Sequence, residues 1–404
     1  MALTNFRGVT RSRIEFLRDT YRDGLIGDTI PFWFPRCVDQ EQGGFWTAFD
    51  RDGTLIDDDK GVWQQGRCTW LLGELYNQCE RREQWLQWAR QGAAFIEQFC
   101  IDATDNRMWF HVTRSGTPLR KRRYAYSEAF AAIAMGELYQ ATGEERYRTL
   151  AWSLFERYLG VMRGHLPTVP KFTGHRPTKS IGVPMIAIVT ARQLLDSTGL
   201  ESASNTIMAS IDEIRRDFVK PELQCVMETV GMGGEVIDHF DGRTLNPGHA
   251  IEAAWFLLWE GKVRGDATLV QLGCQMLDWM WQRGWDRDCG GIYYFRDVRG
   301  WPVQEYWHDM KFWWPHNETI IATLLAFQLT GDARYADMHT QVHDWSYKHF
   351  PDRECGEWYG YLHRDGSPSS SLKGNLWKGP FHLPRMQWIC WQICEEMLLQ
   401  NGGA

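Results

Sequence analysis

No apolar run in this 404-residue chain reaches the roughly 18 residues that would suggest a membrane span, and Met1–Arg13 lacks the apolar stretch of a secretory signal. Positive charge is in deficit. Lys and Arg number 44 against 51 Asp and Glu, a net of −7, which removes the electrostatic basis for nucleic acid as the main partner. The ten cysteines contain no Cys-x-x-Cys pair, and a chain this long needs no cross-links, so they are expected as reduced thiols of a cytoplasmic protein. Gly-x-Gly-x-x-Gly and Gly-x-x-x-x-Gly-Lys-[Ser/Thr] are both missing, so no nucleotide loop of those kinds is expected. His339 and His343 have a metal-like i,i+4 spacing without the Glu of His-Glu-x-x-His, so they are expected on the surface of an outer helix, with no catalytic metal. No Pro/Ser-rich linker interrupts the chain, and one domain over residues 1–404 is expected.

What is plentiful is aromatic: Trp 22, Tyr 14 and Phe 20, or 14% of the chain. Large rings serve as core filler or as walls for the apolar faces of sugars, and composition alone favours filler. The rings recur in a repeat. Gly or aromatic residues, a short alternating stretch, then a basic residue and Gly run from Gly43 to Gly53, Met108 to Gly116, Gly290 to Gly300 and Gly356 to Gly366, with a looser copy from Val226 to Gly234. Gly44, Trp109, Val226, Gly291 and Glu357 mark intervals of 65, 117, 65 and 66 residues. A degenerate unit near His165–Arg176 divides the long gap, so six units fill the chain.

Between these segments the apolar period becomes helical. Helices are predicted at 13–33, 62–80, 84–100, 126–141, 145–159, 180–197, 204–219, 248–262, 267–283, 316–330, 333–349 and 384–400. One of each pair, such as Tyr126–Ile133, is apolar nearly all round and its partner is amphipathic. Six buried helices ringed by six amphipathic ones describe an all-α (α/α)6 barrel with short hairpin-like loops at one rim. An open solenoid would not make the inner helices apolar on every side.

The predicted inner helices open with charged or imidazole residues: Arg67, Glu128, His249 with Glu252, His316 with Glu318, and His382 with Arg385. Each alone reads as a cap or ion pair; five in register read as a polar site at the end of an apolar tube. His249 follows Asn246-Pro247-Gly248 and His382 precedes Leu383-Pro384, so both fall at helix N-termini, where the macrodipole favours neutral imidazole. A neutral imidazole is a competent base, and its conjugate acid can return a proton. Two of them facing one cavity suggest proton removal from one face of a carbon and delivery to the other. Asp57-Asp58-Asp59 reads as a solvated turn, and the run Arg120-Lys121-Arg122-Arg123 as a loop face that could touch an anion.

Val62-Trp63-Gln64-Gln65-Gly66-Arg67, Leu245-Asn246-Pro247-Gly248-His249, Ile251-Glu252-Ala253-Ala254-Trp255-Phe256, Lys311-Phe312-Trp313-Trp314-Pro315-His316-Asn317-Glu318, Gly356 to Tyr361 and Lys378 to Arg385 resemble, in the same order, the motifs of the N-acylglucosamine 2-epimerase family. The resemblance runs from about residue 20 to 395. It implies an (α/α)6 barrel interconverting N-acetyl-D-glucosamine and N-acetyl-D-mannosamine by proton transfer at C2, with His249 and His382 as acid and base. It also implies Arg67, Arg243, Glu318 and Arg385 as substrate-binding groups, no required cofactor, ATP as an activator and a homodimer, and Glu128, Glu252, Trp313 and His316 are expected to bind substrate beside them. Three places depart from the family pattern: Pro380 replaces a Cys before Phe381-His382, Trp307-His308-Asp309-Met310-Lys311 replaces Glu-Trp-Asp-x-Lys, and Pro170–Arg176 matches only loosely.

Other readings differ in chemistry. Epimerases of mannose or cellobiose and aldose–ketose isomerases share an enediolate-type intermediate, so the histidines alone do not separate them. A glycosidase could draw a carboxylate pair from Glu128, Glu228, Glu252 and Glu318. A non-catalytic carbohydrate-binding barrel would use the rings alone and leave the histidines idle.

Overall fold

In the computed structural model, residues 9–168 and 174–401 are described. Twelve long helices are numbered here in chain order: α1 (Arg11–Gly24), α2 (Val62–Gln78), α3 (Glu83–Phe95), α4 (Tyr126–Thr142), α5 (Glu145–Met162), α6 (Gly182–Thr198), α7 (Ser202–Glu213), α8 (Pro247–Arg264), α9 (Ala267–Gly284), α10 (Trp313–Thr330), α11 (Ala333–His349) and α12 (His382–Asn401). The predicted spans 13–33, 84–100 and 204–219 are longer than α1, α3 and α7 because π-helical turns at Leu25–Thr29, Ile96–Cys100 and Ile214–Phe218 continue those helices.

The even-numbered helices form the inner ring, and each carries an odd-numbered helix on its outside: α3 on α2, α5 on α4, α7 on α6, α9 on α8, α11 on α10, and α1 on α12. The division follows from side chains. In α10 every residue from Trp313 to Gln328 is buried, whereas α5 buries one stripe through Tyr147, Ala151, Leu154, Phe155, Tyr158 and Val161. Short turns then reverse the chain. Gly143 and Gly331 end α4 and α10 in the left-handed conformation that a side chain would disfavour. The protein is an (α/α)6 barrel, and one buried apolar cluster extends from Ile14 to Leu398.

Ring closure is made by contacts between the last unit and the first. The Trp388 indole donates to Glu74 at 3.0 Å, and Trp70 lies edge-on to Phe381 at 5.4 Å. The rim repeats a charge lock. Asp39 accepts from Lys60 at 2.9 Å and Arg114 at 3.0 Å, and Asp286 from Lys311 at 3.0 Å and Arg364 at 2.8 Å. Asp352 pairs with Lys373 at 3.1 Å and Arg51 at 2.7 Å. In each lock the arginine comes from the next hairpin around the ring, so Arg51 of the first unit meets Asp352 of the last. This explains the basic residue in three of the four clear copies of the repeat; in the Gly290–Gly300 copy, Arg299 bonds Asp238 at 2.9 Å instead. The hairpin strands lie at the inner-helix starts, with Lys311-Phe312 on Tyr361-Leu362 and Lys60-Gly61 on His111-Val112.

The degenerate unit near His165–Arg176 is only partly visible, since 169–173 lie outside the described residues; its described flank pairs Thr178–Ser180 with Thr229–Gly231. His339 and His343 correct the sequence expectation. They are buried rather than on the surface, bonded to Tyr21 between α1 and α11. Among the described residues no helix is long and apolar enough to cross a membrane.

Candidate active site

Because the inner helices run parallel, their starts share one rim. Trp63, Tyr126, Gly182, His249, Trp313 and His382, one from each, line a single cavity of about 1630 Å³ that continues down the lumen. Asn246 sets the start of α8: its Oδ1 accepts from the His249 backbone N–H at 3.2 Å, and Pro247 occupies the first turn, where its missing N–H costs nothing. The His249 ring packs against Trp314 at 4.9 Å, and its Nδ1 meets the Glu228 carboxylate at 3.0 and 3.2 Å. The helix N-terminus that favours a neutral His249 is thus opposed by a carboxylate. Burial pulls its pKa down, but the Glu228 charge, with Glu252 and Glu318 behind it, raises it above the usual 6.5.

His382 has the opposite bias. Its Nδ1 lies 2.7 Å from Glu318 Oε1, which also accepts from Arg385 Nη2 at 2.6 Å. A carboxylate only accepts, so the proton is assigned to Nδ1, leaving Nε2 with its lone pair. Burial, then the Arg385 and Arg67 charges, hold the pKa of His382 well below 6.5. Arg385 also reaches Glu252 at 2.7 Å, and Trp255 donates to the second Glu318 oxygen at 2.8 Å. Glu252, Glu318 and His382 bring ligand atoms within 4.8 Å of one another. The Arg385 guanidinium sits on both carboxylates, where a divalent cation would have to bind, so the donor set is already charge-compensated.

Arg67 has no ion-pair partner among the described residues. Its guanidinium lies over Phe130 at 4.1 Å, Phe381 at 4.6 Å and Trp63 at 5.5 Å, and its buried Nε makes no hydrogen bond. Burial, and then repulsion from Arg385, pull its pKa down to about 9. Its donors face the cavity that the two imidazoles share.

Six of the ten sequence-predicted site residues line this lumen, namely Arg67, His249, Glu252, Trp313, His382 and Arg385, and a seventh, Glu318, is fully buried behind it and bonded to His382 and Arg385. Three do not. Glu128 is taken by Arg107 at 2.6 Å and the Met108 N–H at 3.0 Å. Arg243 is held by Asp297 at 3.0 Å and Asp238 at 2.9 Å. His316 uses both nitrogens internally, accepting from Ile292 N–H at 2.9 Å and donating to Phe312 O at 2.6 Å, and burial pushes its pKa down to about 3. Sequence reasoning missed Glu228 as the partner of His249. It lies 21 residues upstream on a rim hairpin, a distance no local pattern reports.

Two imidazoles of opposite charge bias sharing one aromatic-walled lumen equip the barrel to move a proton between a carbon and a base; the protein is an isomerase of the racemase and epimerase class. The sequence pattern of the N-acylglucosamine 2-epimerases matches residues 43–381, and the chain belongs to that family. The N-acylglucosamine 2-epimerase of Bos taurus is 37% identical over 382 residues, covering 91% of this chain and 88% of its own. The Homo sapiens enzyme of the same name is 36% identical, with 91% and 87% coverage. Among solved structures, a cellobiose 2-epimerase from Spirochaeta thermophila DSM 6192 superposes with a TM-score of 0.82 at 21% identity, covering 97% of this chain and all of its own. A D-mannose isomerase does so at 0.79 and 18%, covering 95% and 98%. These two likenesses concern the fold.

Proposed function

We propose that the enzyme interconverts N-acetyl-D-glucosamine and N-acetyl-D-mannosamine by transferring the C2 proton of the open-chain sugar between His249 and His382. The observation that carries this reading is the opposite bias of the two imidazoles, the pKa of His249 raised by Glu228 and that of His382 lowered by burial and two guanidiniums. Ring opening gives the C1 aldehyde, which acidifies the C2 hydrogen. His382 Nε2 takes that proton from one face, and the C2–H electron pair moves into the C1–C2 bond as the carbonyl oxygen becomes negative. Arg67, without a counter-ion of its own, stabilises that oxygen. His249, already protonated, delivers to the other face of C2, and the aldehyde re-forms at the inverted centre. The reverse reaction starts from the complementary state, with His249 as base and His382 as acid.

Turnover in heavy water tests this directly. The parent enzyme is expected to incorporate deuterium at C2 of the product, read by proton NMR, whereas a hydride shift between C1 and C2 would retain the original hydrogen. His249→Asn and His382→Asn are each expected to abolish interconversion, while each still exchanges the C2 hydrogen of one epimer, a different epimer for each variant. Epimerisation near the parent rate in either variant refutes the assignment. A second reading, epimerisation of a non-acylated sugar or disaccharide, is favoured by the size of the cavity, which exceeds the ~300–1,000 Å³ usual for small ligands. Offering N-acetylmannosamine, mannose and cellobiose in the same experiment separates the two.

A further inference from the structure

We propose that the mouth of the lumen carries an oxyanion subsite built on Arg122, at the outer end of an aromatic strip whose inner end is Arg67. The inference rests on the proposed function only in taking Arg67 as the reacting end.

The run Arg120-Lys121-Arg122-Arg123 connects the short strand Pro118–Arg120 to the start of α4. Its members are not equivalent. The Lys121 ammonium is neutralised by Asp102 at 2.5 Å and Asp105 at 3.0 Å. Arg122 lines the same cavity as the two histidines and pairs with no carboxylate among the described residues. Its Nε is buried without a hydrogen-bond partner. Its guanidinium lies over Phe110 at 4.4 Å, Trp377 at 5.2 Å and Tyr124 at 5.5 Å. The buried Arg107, Arg192, Arg243 and Arg385 differ from half-buried Arg122 in that each holds a carboxylate.

Arg67 is built in the same way as Arg122, over three rings with an orphaned Nε, and the two are linked. Trp63, under Arg67, contacts Trp377 at 5.8 Å and Tyr124 at 6.0 Å, the rings that carry Arg122. Nearby acids do not intervene, since Asp102 and Asp105 hold Lys121 and Asp59 faces His111 at 3.9 Å. Ring faces offset part of the cost of withdrawing a guanidinium from water, but they leave its N–H donors unmatched. A phosphate or carboxylate matches that planar fork, and sugar faces match the rings between the two arginines. The ligand class is therefore an oxyanion, carried on the end of a sugar remote from C1 and C2 or bound free beside it.

Phosphorus NMR line broadening of inorganic phosphate by the whole enzyme, at constant ionic strength made up with chloride, is the test. Saturable broadening in the parent and in inactive His382→Asn is expected, so the subsite is scored without epimerase turnover. Arg122→Met keeps the stem on the rings and is expected to abolish the broadening, while Arg122→Lys retains part of it. If the ratio of kcat/KM for N-acetylglucosamine 6-phosphate over N-acetylglucosamine also falls at least tenfold in Arg122→Met, the oxyanion is carried by the substrate. If broadening is lost and that ratio stands, the oxyanion binds free. No saturable broadening in the parent, or equal broadening in Arg122→Met, overturns the subsite.

Discussion

Arg67 and Glu228 carry the most chemistry per atom. A guanidinium pulled down to about 9 and resting on three rings is poised for a negative oxygen. Arg67→Ala is expected to leave a folded protein by circular dichroism, with a loss of about 2–4 kcal/mol in transition-state stabilisation, the scale of one preorganised donor. Near-normal kcat/KM would show instead that Arg67 serves only packing. Glu228 acts through His249. Its charge and hydrogen bond oppose burial and keep the imidazole protonated above its usual range. Glu228→Gln removes the charge and keeps an acceptor oxygen, so His249 loses its proton at lower pH, and the alkaline limb of the kcat/KM profile is expected to move to lower pH. An unmoved limb would mean that His249 is not the group that must be charged.

The outer helix α1 is joined to α11 by a buried polar cluster. The Tyr21 hydroxyl meets His339 Nε2 at 3.0 Å and His343 Nδ1 at 2.9 Å, while His339 Nδ1 lies 3.2 Å from Ile320 O. Burial holds His339 at about 3, and His343 also well below its ordinary value. The folded state thus binds fewer protons than the unfolded one, whose histidines titrate near ~6.5. The stability this cluster contributes is complete above that value and is lost as pH falls toward 3. Tyr21→Phe leaves two buried ring nitrogens without a partner and is expected to cost about 1–3 kcal/mol in urea unfolding at pH 7, with kcat little changed. A stability equal to the parent's would show that the histidines find other partners.

At the scale of the whole barrel, closure depends on charge locks of high sequence separation. Burial raises the pKa values of Asp39 and Asp286, but paired Arg and Lys hydrogen bonds hold both below the usual carboxylate range. Asp352 is held down first by Arg51, and Lys373 adds to the effect. Because these folded values are depressed, the locks are fully effective above the unfolded value of about 3.9 and weaken as pH falls below it. Unfolding scans are expected to show a second loss of stability below that pH, distinct from the histidine loss above it. Arg51→Ala opens only the lock between first and last units and should lower the urea midpoint. Asp352→Asn should lower it further, because it also takes from the fully buried Lys373 its ion-pair partner and leaves it the Glu357 charge, which Lys378 shares. An Arg51→Ala midpoint equal to the parent's would place ring closure in the apolar contacts alone.

Periodicity by itself determined the architecture. A 65-residue beat and the contrast between all-round apolar and one-sided helices specify twelve helices in two rings, because burial on every side or on one side is written in consecutive residues. The same registration placed Arg67, His249, Glu252, Glu318, His382 and Arg385 at one rim. What it could not decide was which of the rim's polar side chains face the lumen. Successive residues turn about 100° around a helix, so a place in the first turn sets height and not direction. Glu128, Arg243 and His316 have the composition of site residues, yet Arg107, Asp297 and the Ile292 N–H claim them. The charge of His249 was likewise a tertiary outcome. The helix dipole is local and argues for neutrality, but a carboxylate 3.0 Å away on the rim hairpin before α8 opposes it and raises the pKa. Charged partners that lie outside a helix's own turns leave no mark in neighbouring residues, and for that reason the fold decided in which direction each imidazole is biased.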